Sequence, residues 1–116
     1  MSNNTELGRE GENVAAEYLA GKGFAIVERN FRSGRTEIDL VATKGDLLVF
    51  VEVKTRRNAE YGWPEEAVSE QKADNIRSAA ESYMELHDWN ADVRYDIIAI
   101  VHEGGKPQIE HLEDAF

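Results

Sequence analysis

The stretch Leu47-Leu48-Val49-Phe50-Val51-Glu52-Val53-Lys54-Thr55-Arg56 is the most apolar run of the chain, and it decides the fold. A short Val-rich run of this kind, entered through the turn signal Lys44-Gly45-Asp46, reads as a strand at the centre of a sheet. Two charges are set into it, Glu52 and Lys54. Side chains alternate along a strand, so these two project from one face. Charges in such a strand are costly unless they are paired or bound to a metal. The chain has a second Glu-x-Lys, Glu70-Gln71-Lys72, but it falls in a helical pattern. There, residues two apart diverge by about 200°, and the spacing loses that meaning.

Upstream of the central run, TEIDLVAT (36–43) alternates as a strand, and Ser33-Gly34-Arg35 separates it from FAIVERNF (24–31). Leu7, Gly11, Val14, Ala15, Tyr18 and Leu19 recur at helical spacing. With Thr5 as N-cap and Gly21 and Gly23 as stop signals, they predict a helix over about residues 5 to 20. Downstream, NAEYGWP (58–64) reads as a loop, with Pro64 opening a short helical turn through Glu65, Glu66, Ala67 and Val68. Ser69 caps a second long helix carrying the stripe Ile76, Ala79, Ala80 and Tyr83, which ends near His87. VRYDIIAIVH (93–102) is a strand, and a last short strand is expected around Gln108 to Leu112.

The expected fold is therefore α/β, in the order α-β-β-β-α-β-β. It is a mixed sheet of about five strands flanked by helices, with a parallel pair across the helical crossover.

The chain has 116 residues, which is room for one domain spanning 1–116. It has no cysteine, which excludes disulfides, zinc knuckles and thiol nucleophiles and fits a reducing compartment. The start, MSNNTELGRE, has no apolar segment behind a basic end. The reading is of a cytoplasmic chain without signal peptide or membrane span. Net charge is −10, against a surface that is basic throughout. Its distribution is uneven: residues 1–58 hold 9 acids and 9 bases, residues 59–116 hold 14 acids and 4 bases. A basic island that includes Arg29, Arg32, Arg35, Lys54, Arg56 and Arg57 sits inside an acidic protein.

A hairpin turning at Lys44-Gly45-Asp46 brings Asp39 alongside Glu52 and Lys54, an acid-acid-lysine cluster. Two close carboxylates repel, and a hard divalent cation with oxygen ligands relieves the repulsion while leaving positions for water and a phosphate. With a lysine to orient that water or offset developing charge, the cluster has the parts for phosphodiester hydrolysis. Lys72 falls on the face of Ile76, Ala79 and Tyr83, from which the first turn of its helix reaches the cluster. Arg32, Arg35, Arg56 and Arg57 are candidate phosphate contacts. Tyr61 and Trp63 are candidate stacking residues, although an aromatic pair in a loop more often packs onto its own domain. His87, His102 and His111 show no ligand spacing and receive no role.

The set Gly8, Gly11-Glu12, Ala15, Tyr18-Leu19, Asn30, Glu37-Ile38-Asp39-Leu40, Phe50-Val51-Glu52-Val53-Lys54, Arg56, Gly62, Pro64, Lys72, Ala80, Arg94, Asp96 and Ala115-Phe116 resembles the YraN-type endonuclease family, over nearly the whole chain. That family is similar to archaeal Holliday junction resolvases and to restriction-endonuclease-like nucleases of the PD-(D/E)xK kind. The resemblance implies a restriction-endonuclease-like core and a Mg²⁺- or Mn²⁺-dependent endonuclease acting on DNA, branched or junction DNA included. Position by position it implies Asp39 and Glu52 as metal ligands, Lys54 as the catalytic lysine, and Glu12 as a further acid at the metal. A helical wheel alone does not choose between Glu10 and Glu12. Where the family has Gly before Glu-Ile-Asp, this chain has Thr36.

Symmetric cutting of two strands by a domain with one site requires a homodimer. Two other readings stand beside this one. The chain is a nucleic-acid-binding module without turnover, or a protein-interaction domain whose acidic second half binds a basic partner.

Overall fold

The elements are α1 (Ser2–Gly21), β1 (Ala25–Ser33), β2 (Thr36–Lys44), β3 (Leu47–Arg56), α2 (Glu70–Leu86), β4 (Asp92–Glu103) and β5 (Lys106–Leu112). They come from a computed structural model that describes residues 2–56, 68–103 and 105–116. The strands form one sheet in the order β1-β2-β3-β4-β5, so the Val-rich run is the middle strand. β3 and β4 pair in parallel from Leu47↔Asp92 to Arg56↔Val101, and the other three pairs are antiparallel. The parallel pair is the one joined through α2, as a helical crossover demands. The expected α-β-β-β-α-β-β order and mixed sheet are present.

α1 starts at Ser2, three residues before the expected cap Thr5. Ser2-Asn3-Asn4 contains neither Gly nor Pro, and nothing in it stops helical backbone. Ser69 does cap α2, its side chain accepting from the Lys72 amide at 3.2 Å. The helical turn expected after Pro64 lies outside the described residues, as do Arg57, Tyr61 and Trp63. No helix among the described residues is long and apolar enough to cross a membrane.

Each helix covers one face of the sheet. Ala15, Ala16 and Leu19 of α1 pack against Leu40, Ala42, Val49, Val51, Ile98 and Ile100. Ile76, Ala79, Ala80 and Tyr83 of α2 pack against Ile38, Val41, Leu48 and Phe50. The two stripes named from helical spacing are the two packing faces.

Two local features shape the site. Gly11 is buried, and a Cβ built there would overlap Thr55 Oγ1 and lie 3.1 Å from Thr55 Cβ. Only glycine lets this turn of α1 lie so close to β3. The second is a slip in alternation. Ile38 and Val41 both pack on the α2 face, with Leu40 on the α1 face between them. On the neighbouring strand, Arg29 and Asn30 both reach α1, at Asn13 and Glu12, while Phe31 returns to the α2 face. Asn30 takes a left-handed backbone, φ 54°. The period of two thus breaks around Asn30 and Asp39 on paired strands.

Candidate functional site

The β2–β3 ladder runs from Lys44↔Leu47 to Leu40↔Val51 and stops there. Beyond that point the β1–β2 hairpin continues without β3, from Phe31↔Ile38 to Ser33↔Thr36. Its two-residue turn has Gly34 at φ 62°, a conformation glycine adopts without strain. Where the ladder ends, the Asp39 carboxylate takes the place of a backbone acceptor: Val53 N–H donates to Oδ2 at 2.8 Å. The hairpin tip therefore splays from β3, and a cleft of about 500 Å³ opens between tip, sheet and the start of α2. Arg35, Thr36, Glu37, Asp39, Glu52 and Lys72 are among its lining residues. Thr36, the departure from the family's glycine, has no positive φ, so the backbone at this position does not require glycine.

Asp39 and Glu52 are brought together as expected. Asp39 is part-buried and Glu52 is 8% exposed. Burial pushes the Asp39 carboxyl up, and the Glu52 charge pushes it further. The Val53 N–H opposes this, and Glu12 and Glu37 add to the rise, which ends at about 7. At Asp39, burial and the neighbouring acids thus outweigh the one backbone donor.

Lys54 is half-buried on the Glu52 side of β3. The intervening Val53 turns to the α1-side core. Lys72 reaches the cleft from the first turn of α2, and its Nζ lies 2.5 Å from Glu52 Oε2.

Glu12 is the α1 acid on the site side. Asn30 Nδ2 donates to its Oε1 and Oε2 at 3.2 and 3.1 Å, and its charge is felt at Asp39. Glu10 is exposed and lines a separate surface hollow with Glu6, Arg9 and Asn13. Of the two acids that the helical wheel leaves open, Glu12 is the one whose charge acts on Asp39.

The basic residues divide. Arg35 lines the cleft. Arg32 is exposed on the hairpin and pairs with Glu37 at 3.4 Å, and Arg56 is exposed at the end of β3.

Among the described residues no group of three or more His, Asp or Glu side chains is gathered closely enough to hold a metal. Each acid instead meets a protein donor: Glu52 meets Lys72, Asp39 meets Val53 N–H, and Glu12 meets Asn30. Glu37 is a cleft acid that sequence reasoning did not single out. Its signal was its place in Glu37-Ile38-Asp39, two residues from Asp39 and so on the same face of the strand.

The family described as "Uncharacterised protein family UPF0102" matches residues 11–100. A UPF0102 protein of Rhodococcus opacus is 48% identical over 119 residues, covering 100% of each chain. One from Bacteroides thetaiotaomicron is 45% identical over 116 residues, covering 100% of this chain and 96% of the relative. Among solved structures, Pyrococcus furiosus SfsA in complex with Ca²⁺ aligns with a TM-score of 0.37 at 14% identity, over 95% of this chain and 63% of that one. Matched across most of its length by the family and end to end by such relatives, the chain belongs to the UPF0102 family, the YraN-type family its motifs resemble.

Proposed function

We propose that the chain is a divalent-metal-dependent endonuclease that hydrolyses phosphodiester bonds in DNA, branched or junction DNA included. The observation that carries this reading is the carboxylate pair at the splayed end of the β2–β3 ladder. Asp39 is raised to about 7 beside Glu52, with Lys54 on the same side of β3. Groups perturbed by burial and a like charge, in a cleft, are what a site built for a cation displays.

The donor set fits Mg²⁺ or Mn²⁺. It is all oxygen, and Mg²⁺ is held by one or two carboxylates while keeping waters and taking substrate phosphate. A closed cage of three or more acids is not needed for such an ion. Asp39 and Glu52 are its holders, with Glu12 as the further acid. Once bound, the ion polarises the phosphoryl oxygen and acidifies a water.

The chain's own residues supply the rest. Lys54 orients the attacking water and offsets charge that develops on the phosphate. Arg32, Arg35, Arg56, Arg57 and Lys72 take neighbouring phosphates along the strand. With net charge −10, attraction at a distance is weak. Binding then depends on these local contacts and falls steeply with salt. Cutting both strands of a symmetric substrate uses a homodimer.

The test is a panel of labelled single-stranded, duplex, flap and four-way-junction DNAs with Mg²⁺ or Mn²⁺. The expected result is metal-dependent cutting that stops in EDTA and is absent in Asp39→Asn. Lys54→Ala is expected to lower it by about 10²–10³-fold. Cutting that survives in Asp39→Asn belongs to a contaminant. No cutting with DNA binding intact points to a binding module. No binding of DNA or metal leaves the acidic second half and a basic protein partner.

A further inference from the structure

We propose that Lys72 is a built-in stand-in for the metal, that its ammonium and a divalent cation compete for Glu52, and that metal binding releases the ammonium into the cleft. This rests on the metal-dependent reading of the site and adds a control to it.

Ser69 caps α2, so Lys72 is the third helical residue. A cation is unfavourable there, because the free N–H groups and the dipole make the first turn positive. A capping box places Glu or Gln at this position, and this chain has Lys. A residue that breaks a local rule needs a compensating role, and the structure supplies one. The Lys72 stem lies on the helix face of Ile76 and Ala80, turned to the sheet, and the ammonium meets Glu52 Oε2 at 2.5 Å.

The two partners differ in freedom. The Glu52 side chain is 9% exposed and the Lys72 side chain is 52% exposed. A carboxylate so enclosed needs a cation beside it, whereas a half-exposed lysine regains water at little cost when it leaves. The cation that Glu52 requires is therefore supplied by the chain itself, on an arm able to withdraw. Asp39 is answered differently, by one backbone N–H, and has a neighbouring carboxylate rather than a lysine as its strongest charged influence. An ion drawn to both acids binds the same Glu52 carboxylate that Lys72 holds, and a dication and an ammonium repel at that range. Once released, the ammonium lies in a cleft that Arg35 also lines, where a substrate phosphate would find it.

The experiment is calorimetric titration of the full chain with MnCl₂, without DNA, alongside thermal melts with and without Mn²⁺. Lys72→Met keeps the stem and removes the charge, Lys72→Arg keeps the charge, and Glu52→Gln removes the shared acceptor. Lys72→Met is expected to bind Mn²⁺ about tenfold more tightly than wild type. It is also expected to melt lower than wild type without metal and to gain more on adding it, with Lys72→Arg close to wild type and Glu52→Gln weak. Equal or weaker binding by Lys72→Met, with wild type binding normally, overturns the inference and leaves the metal site standing. Absence of Mn²⁺ heat and of any melting shift in every protein overturns both.

Discussion

Asp39 and Asp96 are aspartates inside the same sheet, held in opposite ways. Asp96, on β4, is fully buried. It accepts from Arg94 Nε and Nη2, each at 2.9 Å, from the Asp114 backbone N–H at 3.0 Å, and from His111 Nε2 at 2.7 Å. An ionised carboxylate only accepts, so His111 donates to it from Nε2, while Nδ1 on the other side of the ring lies 3.2 Å from Tyr18 OH. Burial pushes Asp96 up, but the hydrogen bonds from His111, Arg94 and Asp114 outweigh it and hold the carboxyl below the usual range. Asp39 has one backbone donor and an acid beside it, and it goes the other way, to about 7. Burial does not distinguish a site from a strut here; the supply of donors and positive charge does. Asp96 has its hydrogen-bond donors within the chain, whereas Asp39 has a single backbone donor and acids as its neighbours.

The sharpest way to break this contrast is to neutralise each acid in turn. Asp96→Asn leaves Arg94 and His111 facing a group that no longer balances them, and is expected to lose about 3–5 kcal/mol of stability. Asp39→Asn removes a carboxylate that Glu52 repels. It is expected to leave stability unchanged or raise it by about 1 kcal/mol while cleavage disappears. Urea midpoints of the two variants check both. Equal losses would mean that Asp39 is as structural as Asp96.

α1 touches both regions, with Glu12 on the Asp39 side and Tyr18 on the Asp96 side, where Lys22 Nζ donates to Tyr18 OH at 3.2 Å. Gly11 governs the first contact. Gly11→Ala sets a methyl against Thr55 and is expected to cost about 1–3 kcal/mol, with cleavage falling as Glu12 moves off Asn30. At Gly8, one turn earlier, a Cβ meets nothing within 4 Å. Gly8→Ala is expected to gain up to about 1 kcal/mol from helix propensity alone. Thermal melts of the pair separate the two. A Gly11→Ala protein that melts with wild type would show that α1 does not press on β3 at that turn.

Much of this was legible in the sequence because it depends on period and on connection length. LLVFVEVKTR is β3 residue for residue, the stripe from Ile76 to Tyr83 is the buried face of α2, and the length of the crossover favoured the parallel β3–β4 pair that is present. The same periodicity put Lys72 in reach of Glu52. What was not legible depends on breaks in period or on distant partners. The slip at Asn30 and Asp39 turns on one left-handed residue, and asparagine in a strand pattern announces that only weakly. His111 has no ligand spacing, and its partners lie 15 residues away across a hairpin and 93 residues away on α1. The available signal was Asp96 itself, an acid at the head of the apolar run IIAIV with Arg94 two residues before it.

The finest test of the contrast is the pH dependence of stability in EDTA, because the two aspartates contribute with opposite sign. Asp39 rises from 3.8 to about 7 on folding, so between those values the folded chain binds the proton that the unfolded chain has lost. Stability therefore falls as pH climbs from about 4 to 7 and is level above, by about 1–2 kcal/mol once solvent screening is allowed for. Asp96 is lowered from 3.8, so its contribution is fully present above that value and is lost as pH falls through the depressed one. Urea midpoints taken from pH 4 to 8 should decline toward neutrality in wild type, and Asp39→Asn should lack that decline. Subtracting the two profiles removes every other titrating group that the substitution leaves alone, so the difference reports Asp39. If the decline persists in Asp39→Asn, the proton belongs to another group, and burial and the neighbouring acids do not outweigh the backbone donor at Asp39. If Mn²⁺ abolishes it in wild type, the cation has supplied to Asp39 what Arg94 and His111 already give Asp96.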